Sequence, residues 1–259
     1  MSVTNWDELV QRYRPVLLIT PRSLIFYPSS GDPSSEKQVL SDSKVFFVNA
    51  VAHELFSPLS AAIGLLELAK EGEMVQEHLL KIEKHLLRMH RILEQLILLS
   101  KIEQDNYEPF LRKIDLEGIL REIVHEYEQR AAQKRVAISM EGTNVRVEAD
   151  EEALKIVLRN LVSNAVKYSK EGGIVKITRS NRLLVIQDEG LGIPEQELKN
   201  VTARFYRAKN VRGVSGAGLG LAIVKHILRR LNVTWAIHSR LNVGTTVFLE
   251  LVGVEEDNL

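Results

Sequence analysis

Apolar residues between positions 42 and 103 recur alternately three and four residues apart, a spacing typical of packed α-helices. The first run contains Val45, Val48, Ala52, Leu55, Leu59, Ala62, Leu66 and Ala69. After a break at Glu71, Gly72 and Glu73, the second run contains Val75, Leu79, Ile82, Leu86, Met89, Leu93 and Leu96. Because the break is short, the sequence predicts two helices that fold back as an antiparallel hairpin.

The apolar stripe of this hairpin is wider than a seam between two helices requires. It also includes the flanking residues Leu80, Leu87, Ile92 and Ile97. A single hairpin cannot bury so wide a stripe. We therefore expect a homodimer in which two hairpins form a four-helix bundle.

Helical and strand patterns alternate after residue 109. Helices are predicted over 116–134, 150–169 and 219–231, and strands over 136–140, 145–148, 174–178, 183–187, 234–239 and 245–251. This alternation predicts a two-layer α/β sandwich, so the fold class of the whole chain is α + α/β.

The predicted organisation has three parts. Residues 1–41 form a short N-terminal segment, 42–104 the helical hairpin and 109–252 the α/β domain, with a linker near 104–112. Within the first part we expect a helix over 6–14, strands over 16–20 and 24–27, and a turn-rich linker over 28–35. The role of this segment stays open between a remnant, a docking arm and an extension of the hairpin.

The composition excludes several classes of function. The 34 Lys and Arg residues balance the 34 Asp and Glu residues, so no nucleic-acid partner is expected. The absence of Cys excludes disulfides and cysteine-bound metals. No apolar run approaches the roughly 18 residues that cross a bilayer, so we expect a cytoplasmic location. A signal from outside the cell would need an upstream sensor partner.

His53 lies one residue away from the heptad seam, where its ring would be accessible to another molecule. Glu54 can hydrogen-bond one ring nitrogen and leave the other nitrogen able to attack an electrophile. Pro58 removes a helical hydrogen bond to the Glu54 carbonyl group, so a bend is expected there. Ser57 adds a hydroxyl group on the same face and stands where a zinc protease would need its second histidine. An ordinary surface histidine is the alternative.

A second polar group lies on the helix predicted over 150–169. Asn160, Asn164 and Lys167 are four and three residues apart, so they share one face. Amide oxygens can ligate Mg²⁺, and a lysine can contact phosphate oxygens. A solvated polar face is the alternative.

Two glycine-containing segments follow. Asp188 to Pro194 comes directly after a predicted strand, where a carboxylate could accept a hydrogen bond from an exocyclic amine of a base. Residues 213–221 are rich in glycine and lead into a helix, an arrangement that attracts phosphate groups. This second segment is neither a P-loop nor a dinucleotide fingerprint.

Taken in order, these segments resemble the transmitter region of a sensor histidine kinase of two-component signalling. His53–Pro58 is similar to the H box of that family, Asn160–Tyr168 to its N box and Asp188–Gly192 to its first glycine box. Later segments that match are Phe205–Arg207, Gly216–Leu221 and Gly244–Thr246. The resemblance covers residues 42–252 and implies a phosphotransfer hairpin followed by a Bergerat-type ATP-binding domain.

The resemblance also implies the site residues and partners. His53 would accept a phosphoryl group from ATP, Glu54 would act as general base, and the product would be passed to a response regulator. Asn164, with Asn160, would bind Mg²⁺. The other implied nucleotide contacts are Lys167, Tyr168, Asp188, Gly190, Gly192, Gly216, Gly218, Leu219, Gly220 and Thr246. Arg207 would stabilise the transferred phosphoryl group, and residues 208–215 would form a mobile lid.

Two departures from the family pattern keep other functions open. Phe56 stands where the family usually has Arg, and Thr202 replaces the first Phe of its phenylalanine box. They give some support to a quiet dimeric scaffold that binds ATP without turnover. A different ATPase of the same fold is a third hypothesis, against which the hairpin with His53 argues. Ser57 keeps the hydroxyl group that dephosphorylation of a regulator would need.

Overall fold

The N-terminal segment folds together with the α/β part of the chain. The computed structural model describes residues 5–37, 44–72, 74–102, 108–180, 182–211, 214 and 218–251. Contacts divide the chain into two units: one comprises residues 1–39 and 108–259, and the other residues 40–107. The α/β unit is therefore built from two stretches of chain that flank the hairpin in sequence.

The N-terminal stretch contains one helix and three strands: α1 (Trp6–Arg12), β1 (Val16–Ile19), β2 (Ser23–Tyr27) and β3 (Ser34–Lys37). Asn5 begins the helix because its side-chain oxygen accepts a hydrogen bond from the Glu8 amide at 3.2 Å. The helix and the first two strands agree with the predicted ranges. β3 was not predicted, and it begins inside the stretch predicted to be a linker.

The second unit is the predicted hairpin of α2 (Lys44–Lys70) and α3 (Val75–Ile102). Gly72 turns the chain with a φ of +88°, which a glycine adopts without strain. Ala62 and Ile92 are buried, but many large apolar side chains stay exposed on the single chain, among them Ile63, Leu66, Leu79, Leu86, Leu93 and Ile97. This exposure agrees with the expected four-helix dimer.

The remaining elements largely follow the predicted alternation. They are β4 (Arg112–Asp115), α4 (Leu116–Gln133), β5 (Ala137–Gly142), β6 (Arg146–Ala149), α5 (Glu151–Tyr168), β7 (Ile174–Ser180), β8 (Leu183–Asp188), α6 (Glu195–Leu198), a 3-10 helix (Lys209–Val211), α7 (Gly220–Arg230), β9 (Trp235–Arg240) and β10 (Gly244–Glu250). The two-layer α/β sandwich is thereby confirmed.

Among the residues that the structure describes, eight strands form one mixed sheet in the order β3-β2-β1-β9-β10-β8-β7-β5. Every neighbouring pair is antiparallel except β5 and β7, which are parallel. The N-terminal segment enters this sheet through β1, which pairs with β9 from Val16 opposite His238 to Ile19 opposite Trp235. Three of the eight strands therefore come from residues before the hairpin.

The two faces of the sheet are covered differently. Helices α4, α5 and α7 pack together, and α5 also packs on β8. On the opposite face, Leu9 and Val10 of α1 pack against Val16, Ala236 and Phe248. Fully burying one aliphatic side chain of this size contributes about 1.5–3 kcal/mol. The N-terminal helix thus adds a partial third layer, which the sequence did not predict.

One further strand departs from the prediction. The sequence predicts a linker up to Arg112, but Arg112–Asp115 forms β4, which pairs with β6 in a separate two-stranded sheet. Only Ile114 of this strand is buried, so its sequence shows no strand alternation. In the part of the chain that the structure describes, no helix is long and apolar enough to span a membrane.

Candidate functional site

Helix α5 carries the polar face that the sequence predicts. Its start is fixed by Asp150, whose carboxylate accepts a hydrogen bond from the Ala153 amide at 3.1 Å. One face is buried through Leu154, Val157, Leu158, Leu161, Val162 and Ala165. Asn160, Asn164 and Lys167 lie on the other face and are partly exposed. The helix therefore holds these three polar side chains over a rigid apolar support.

The two asparagines face the beginning of helix α7. Asn160 donates through Nδ2 to the Ile156 carbonyl oxygen at 2.8 Å, which fixes the orientation of its amide. A Cβ placed on Gly220, the first residue of α7, would lie 2.9 Å from Asn160 Oδ1 and 3.6 Å from Asn164 Nδ2. A side chain at this position would displace the Asn160 amide, so glycine favours the close approach of α7 to both amides.

This arrangement fits a Mg²⁺–phosphate group. Amide oxygens are hard ligands of the kind that Mg²⁺ takes, and the amide groups at a helix N-terminus attract phosphate. Among the described residues, no group of three or more His, Asp or Glu side chains could hold a metal ion. Ligands from asparagine oxygens together with phosphate oxygens suit this site better than a carboxylate cluster.

Lys167 and Tyr168 close the end of α5. The Lys167 ammonium group donates to the Tyr168 hydroxyl at 3.0 Å and lies 4.6 Å from the centre of its ring. Burial raises the pKa of Tyr168, and the nearby positive charge of Arg207 partly opposes this shift. Tyr168 therefore lies near the charge of Arg207, although the two residues are far apart in sequence.

Asp188 ends strand β8 and is buried. Its Oδ1 accepts a hydrogen bond from the Thr245 amide at 3.2 Å. Burial raises its pKa to about 7, against the opposing effects of the Thr245 and Gly190 amides and of the Lys134 charge. A carboxyl group with such a pKa is unusual in a surface turn and typical of a binding site.

The loop after Asp188 is tied to the end of α5. The Leu191 amide donates to the Tyr168 carbonyl oxygen at 3.0 Å, and Ser169 forms a β-bridge with Gly190. Gly192 has a φ of +61°, and a Cβ there would overlap the Arg240 carbonyl group. These contacts bring the end of α5, at Tyr168, next to the end of β8, at Asp188.

Residues that flank the predicted lid, 208–215, meet in the structure. The Phe205 amide donates to the Gly218 carbonyl oxygen at 2.9 Å. Arg207 donates to the carbonyl oxygens of Val211, at 2.8 Å, and of Val214. The chain therefore passes through nearly the same point before and after the predicted lid, residues 208–215. Gly216 lies outside the described residues, and Leu219 is buried beneath the start of α7.

Thr246, a predicted nucleotide contact, lies on the opposite face of the sheet from Asp188. On β10, Thr245 pairs with Asp188 and Thr246 pairs with Gln187 and His238. Directly opposite residues share a face of the sheet and adjacent residues do not. Thr245 therefore shares the face of Asp188, and Thr246 points to the other. We propose Thr245 in place of Thr246.

Comparison with known proteins decides the family. Residues 43–105 match the His Kinase A (phospho-acceptor) domain, and residues 149–253 match the histidine kinase-, DNA gyrase B- and HSP90-like ATPase domain. The chain belongs to the two-component sensor histidine kinases. It comprises the transmitter region of this family, with both of its domains in the expected order.

Individual relatives agree with this assignment. The sensor-like histidine kinase SenX3 of Mycobacterium tuberculosis is 32% identical over 221 residues, which cover 81% of this chain and 54% of that protein. The phosphate regulon sensor protein PhoR of Pseudomonas aeruginosa is 33% identical over 212 residues, 77% of this chain and 48% of that protein. The chain thus spans about half the length of these curated relatives.

Solved structures show the same architecture. The mycobacterial sensor histidine kinase MprB is 28% identical, with a TM-score of 0.51, and the match covers 55% of this chain and 98% of that one. The histidine kinase ThkA, solved with the response regulator protein TrrA, is 18% identical with a TM-score of 0.60. That match covers 98% of this chain and 83% of that one, and it supports the fold alone.

The kinase hairpin presents part of the predicted H box. Helix α2 continues through Pro58, which is buried, whereas Ser57 is exposed and Phe56 is 64% exposed. The side chains of His53 and Glu54 lie outside the described residues, although both residues belong to α2. Their assigned roles, and the expected bend at Pro58, stay predictions.

Lys134 contacts the backbone of Lys167, a predicted site residue, although it was not itself predicted from the sequence. It follows α4 and donates to the Lys167 carbonyl oxygen at 2.6 Å and to that of Val166 at 3.4 Å. It also lowers the pKa of Asp188 through its charge. A single lysine in a turn carries no pattern, so only the three-dimensional structure connects it with the site.

Proposed function

We propose that this chain is an ATP-dependent protein histidine kinase that phosphorylates His53 and passes the phosphoryl group to an aspartate of a response regulator. The observation that carries the proposal is the close approach of Asn160 and Asn164 to the start of α7 at Gly220. The buried Asp188 lies at the end of β8, the strand on which α5 packs. The two asparagines and the start of α7 would hold phosphates with Mg²⁺, and Asp188 would bind the base.

The nucleotide would be held by residues with separate tasks. The ionised Asp188 would accept a hydrogen bond from the exocyclic amine of adenine, and Tyr168 would pack against the nucleotide. Lys167 would contact phosphate oxygens, with Asn164 as the main Mg²⁺ ligand and Asn160 beside it. Bound Mg²⁺ would neutralise phosphate charge during transfer. Arg207 would stabilise the transferred group as a forked cation.

The chemical step would form one bond and break another. A ring nitrogen of His53 attacks the γ-phosphorus of ATP, a P–N bond forms, and ADP leaves as its P–O bond breaks. Glu54 holds the opposite side of the ring and stabilises the charge that develops there. The aspartate of the regulator later displaces the imidazole. ThkA was solved with a response regulator, and we propose a partner of this class here.

Further parts of the proposal concern assembly and location. The exposed apolar residues of α2 and α3 support a homodimer through the hairpin. The exposed Ser57 hydroxyl group supports a role in dephosphorylating the regulator. Because the reaction consumes ATP, we propose a cytoplasmic location for these domains.

The test is incubation with γ-labelled ATP and Mg²⁺, followed by acid and base treatment of the labelled protein. We expect base-stable, acid-labile phosphate that is absent in His53→Ala. His90→Gln is a matched control, because His90 is an exposed histidine on the other helix of the hairpin. Asn164→Ala should reduce labelling by weakening the use of Mg-ATP. If label persisted in His53→Ala, the assignment of His53 as phosphoryl acceptor would be refuted. Nucleotide binding without label would favour the dimeric scaffold that binds ATP without turnover.

A further inference from the structure

The N-terminal segment lies outside both matched family domains, which cover residues 43–105 and 149–253. It is nevertheless part of the ATP-binding unit, since β1 pairs along its whole length with β9. Two side chains strengthen this attachment. Trp6 donates to a Glu250 carboxylate oxygen at 2.8 Å, and His238 Nδ1 lies 2.8 Å from the Pro15 carbonyl oxygen. The segment is therefore firmly joined to the domain.

The loop between β2 and β3 contacts helix α6. Ser29 donates to the carboxylate of Glu195 twice, through its amide at 2.7 Å and through its hydroxyl group at 2.7 Å. Glu195 is the first residue of α6, directly after the loop that begins at Asp188. Two short hydrogen bonds to one charged acceptor fix its geometry better than a single neutral bond does.

Helix α6 also contacts residues 205–211, which we call the lid base. Leu198 is fully buried, which anchors the short helix in the domain. Oε2 of Glu197 accepts hydrogen bonds from the Tyr206 hydroxyl group at 3.0 Å and from the Lys209 amide at 2.9 Å. The same four-residue helix thus holds the N-terminal segment through one carboxylate and the lid base through another.

A second contact joins the lid to the loop before α6. Asn210 donates through Nδ2 to the Gly192 carbonyl oxygen at 2.9 Å. Tyr206, Lys209 and Asn210 all lie close to Arg207, which is proposed to stabilise the transferred phosphoryl group. A shift of α6 would therefore move the residues around Arg207 and, through Asn210, the loop that follows Asp188.

We propose that Ser29 is a positioning residue of the kinase: by holding Glu195, it fixes α6 and thereby sets the conformation of the lid base for nucleotide binding. The N-terminal segment then acts as a built-in support of the ATP site. This inference rests on the proposed function, because it assigns a role in nucleotide binding at that site.

The experiment uses the full chain and compares Ser29→Ala, Ser29→Thr and Ser30→Ala. Ser29→Ala removes the hydroxyl donor, Ser29→Thr retains it, and Ser30 is an exposed neighbour in the same loop. We expect Ser29→Ala to raise the KM for ATP and the Kd for Mg-ADP about three- to tenfold, the scale of one typical net hydrogen bond. The kcat should change less than the KM, and Ser29→Thr and Ser30→Ala should resemble the unaltered protein.

A double-mutant cycle tests whether Ser29 affects nucleotide binding through Glu195. Glu195→Ala should weaken nucleotide binding at least as much as Ser29→Ala, and the two changes together should cost no more than Glu195→Ala alone. Glu197→Gln should also weaken binding, since it loosens the next connection. Hydrogen exchange of amides in residues 205–211 should become faster in Ser29→Ala, although the thermal unfolding midpoint stays nearly constant.

The outcomes separate this inference from the proposed function. Unchanged nucleotide affinity in Ser29→Ala and Glu195→Ala, or purely additive effects, would overturn the positioning role while leaving the kinase intact. A parallel loss of stability and kcat without a change in KM would also overturn it, since that is the effect of a merely structural contact. If the unaltered protein failed to bind nucleotide, both the positioning role and the proposed kinase function would be refuted. If the protein bound nucleotide but His53 were not labelled, only the proposed kinase activity would be refuted. The Kd values of the Ser29 variants would still test the positioning role.

Discussion

The ammonium group of Lys134 lies 2.6 Å from the carbonyl oxygen of Lys167, at the last turn of helix α5. A helix leaves its final carbonyl groups without partners inside the helix, and a positive charge there is favourable. Lys134 satisfies one of these groups and also lowers the pKa of the buried Asp188. One side chain from a turn after α4 thereby contacts or influences two parts of the proposed ATP site.

Replacement of Lys134 by methionine should affect both parts. The apolar stem is retained, but the charge and the hydrogen bond are lost, at a cost of about 1–2 kcal/mol in the free energy of unfolding. The pKa of Asp188 should rise further, so that the loss in nucleotide affinity is larger at pH 6.5 than at pH 8.5. Denaturant unfolding and calorimetric titration with Mg-ADP measure the two effects.

Arg135→Met is the matched control for this change. Arg135 is the next residue, and its ion pair with Glu171 joins two exposed side chains. Such a pair contributes little, so the control should retain stability and affinity. An equal loss of affinity at both pH values in Lys134→Met would show that Lys134 does not act through Asp188.

The affinity for nucleotide should increase as the pH rises through about 7. Burial raises the pKa of Asp188 to about 7, and only its ionised form accepts the hydrogen bond proposed from adenine. Below this pKa the Kd for Mg-ADP should weaken by up to about tenfold per pH unit. Calorimetric titrations between pH 5.5 and 8.5 give the profile, and Asp188→Asn should bind weakly with little pH dependence.

The stability of the nucleotide-free protein should follow the opposite trend. Asp188 ionises near its ordinary pKa of 3.8 in the unfolded chain but near 7 in the folded one. The folded state therefore binds more protons between these values, and this group's contribution to stability falls as the pH rises to about 7. Asp188→Asn should lessen that fall. A stability contribution of Asp188 that instead increased with pH would contradict the assignment.

Gly218→Ala should disturb the closure of the lid. Gly218 has a φ of +71°, and a Cβ there would lie 2.7 Å from the Phe205 carbonyl carbon and 2.8 Å from the Tyr206 oxygen. Backbone strain of about 1 kcal/mol is expected from the positive φ alone, and the overlap adds to it. We expect a loss of stability and a several-fold increase in the Kd for Mg-ADP.

Gly172→Ala separates these two contributions. Gly172 has a φ of +76°, but a Cβ there would meet no atom within 4 Å. This variant should show the backbone cost without a change in nucleotide affinity. If Gly172→Ala weakened binding as much as Gly218→Ala, the contact between Gly218 and Phe205 would not control the site.

Features with a local period could be predicted from the sequence. The heptad spacing in α2 and α3 and the shared face of Asn160 and Asn164 follow from the geometry of a single helix. The strand β8 and the turn after it likewise placed Asp188 at a strand end. These predictions need only residues within a few positions of one another.

Tertiary structure decided which of these elements meet. The sequence predicted both β1 and β9, but it did not predict that they pair across more than two hundred positions. It also predicted a linker where Ser29 contacts Glu195. We propose Thr245 rather than Thr246 for the nucleotide contact, because a shift of one residue on a strand reverses the face on which the side chain lies. Helix periodicity is a property of neighbouring residues, whereas strand pairing and long-range hydrogen bonds depend on the packing of the whole domain.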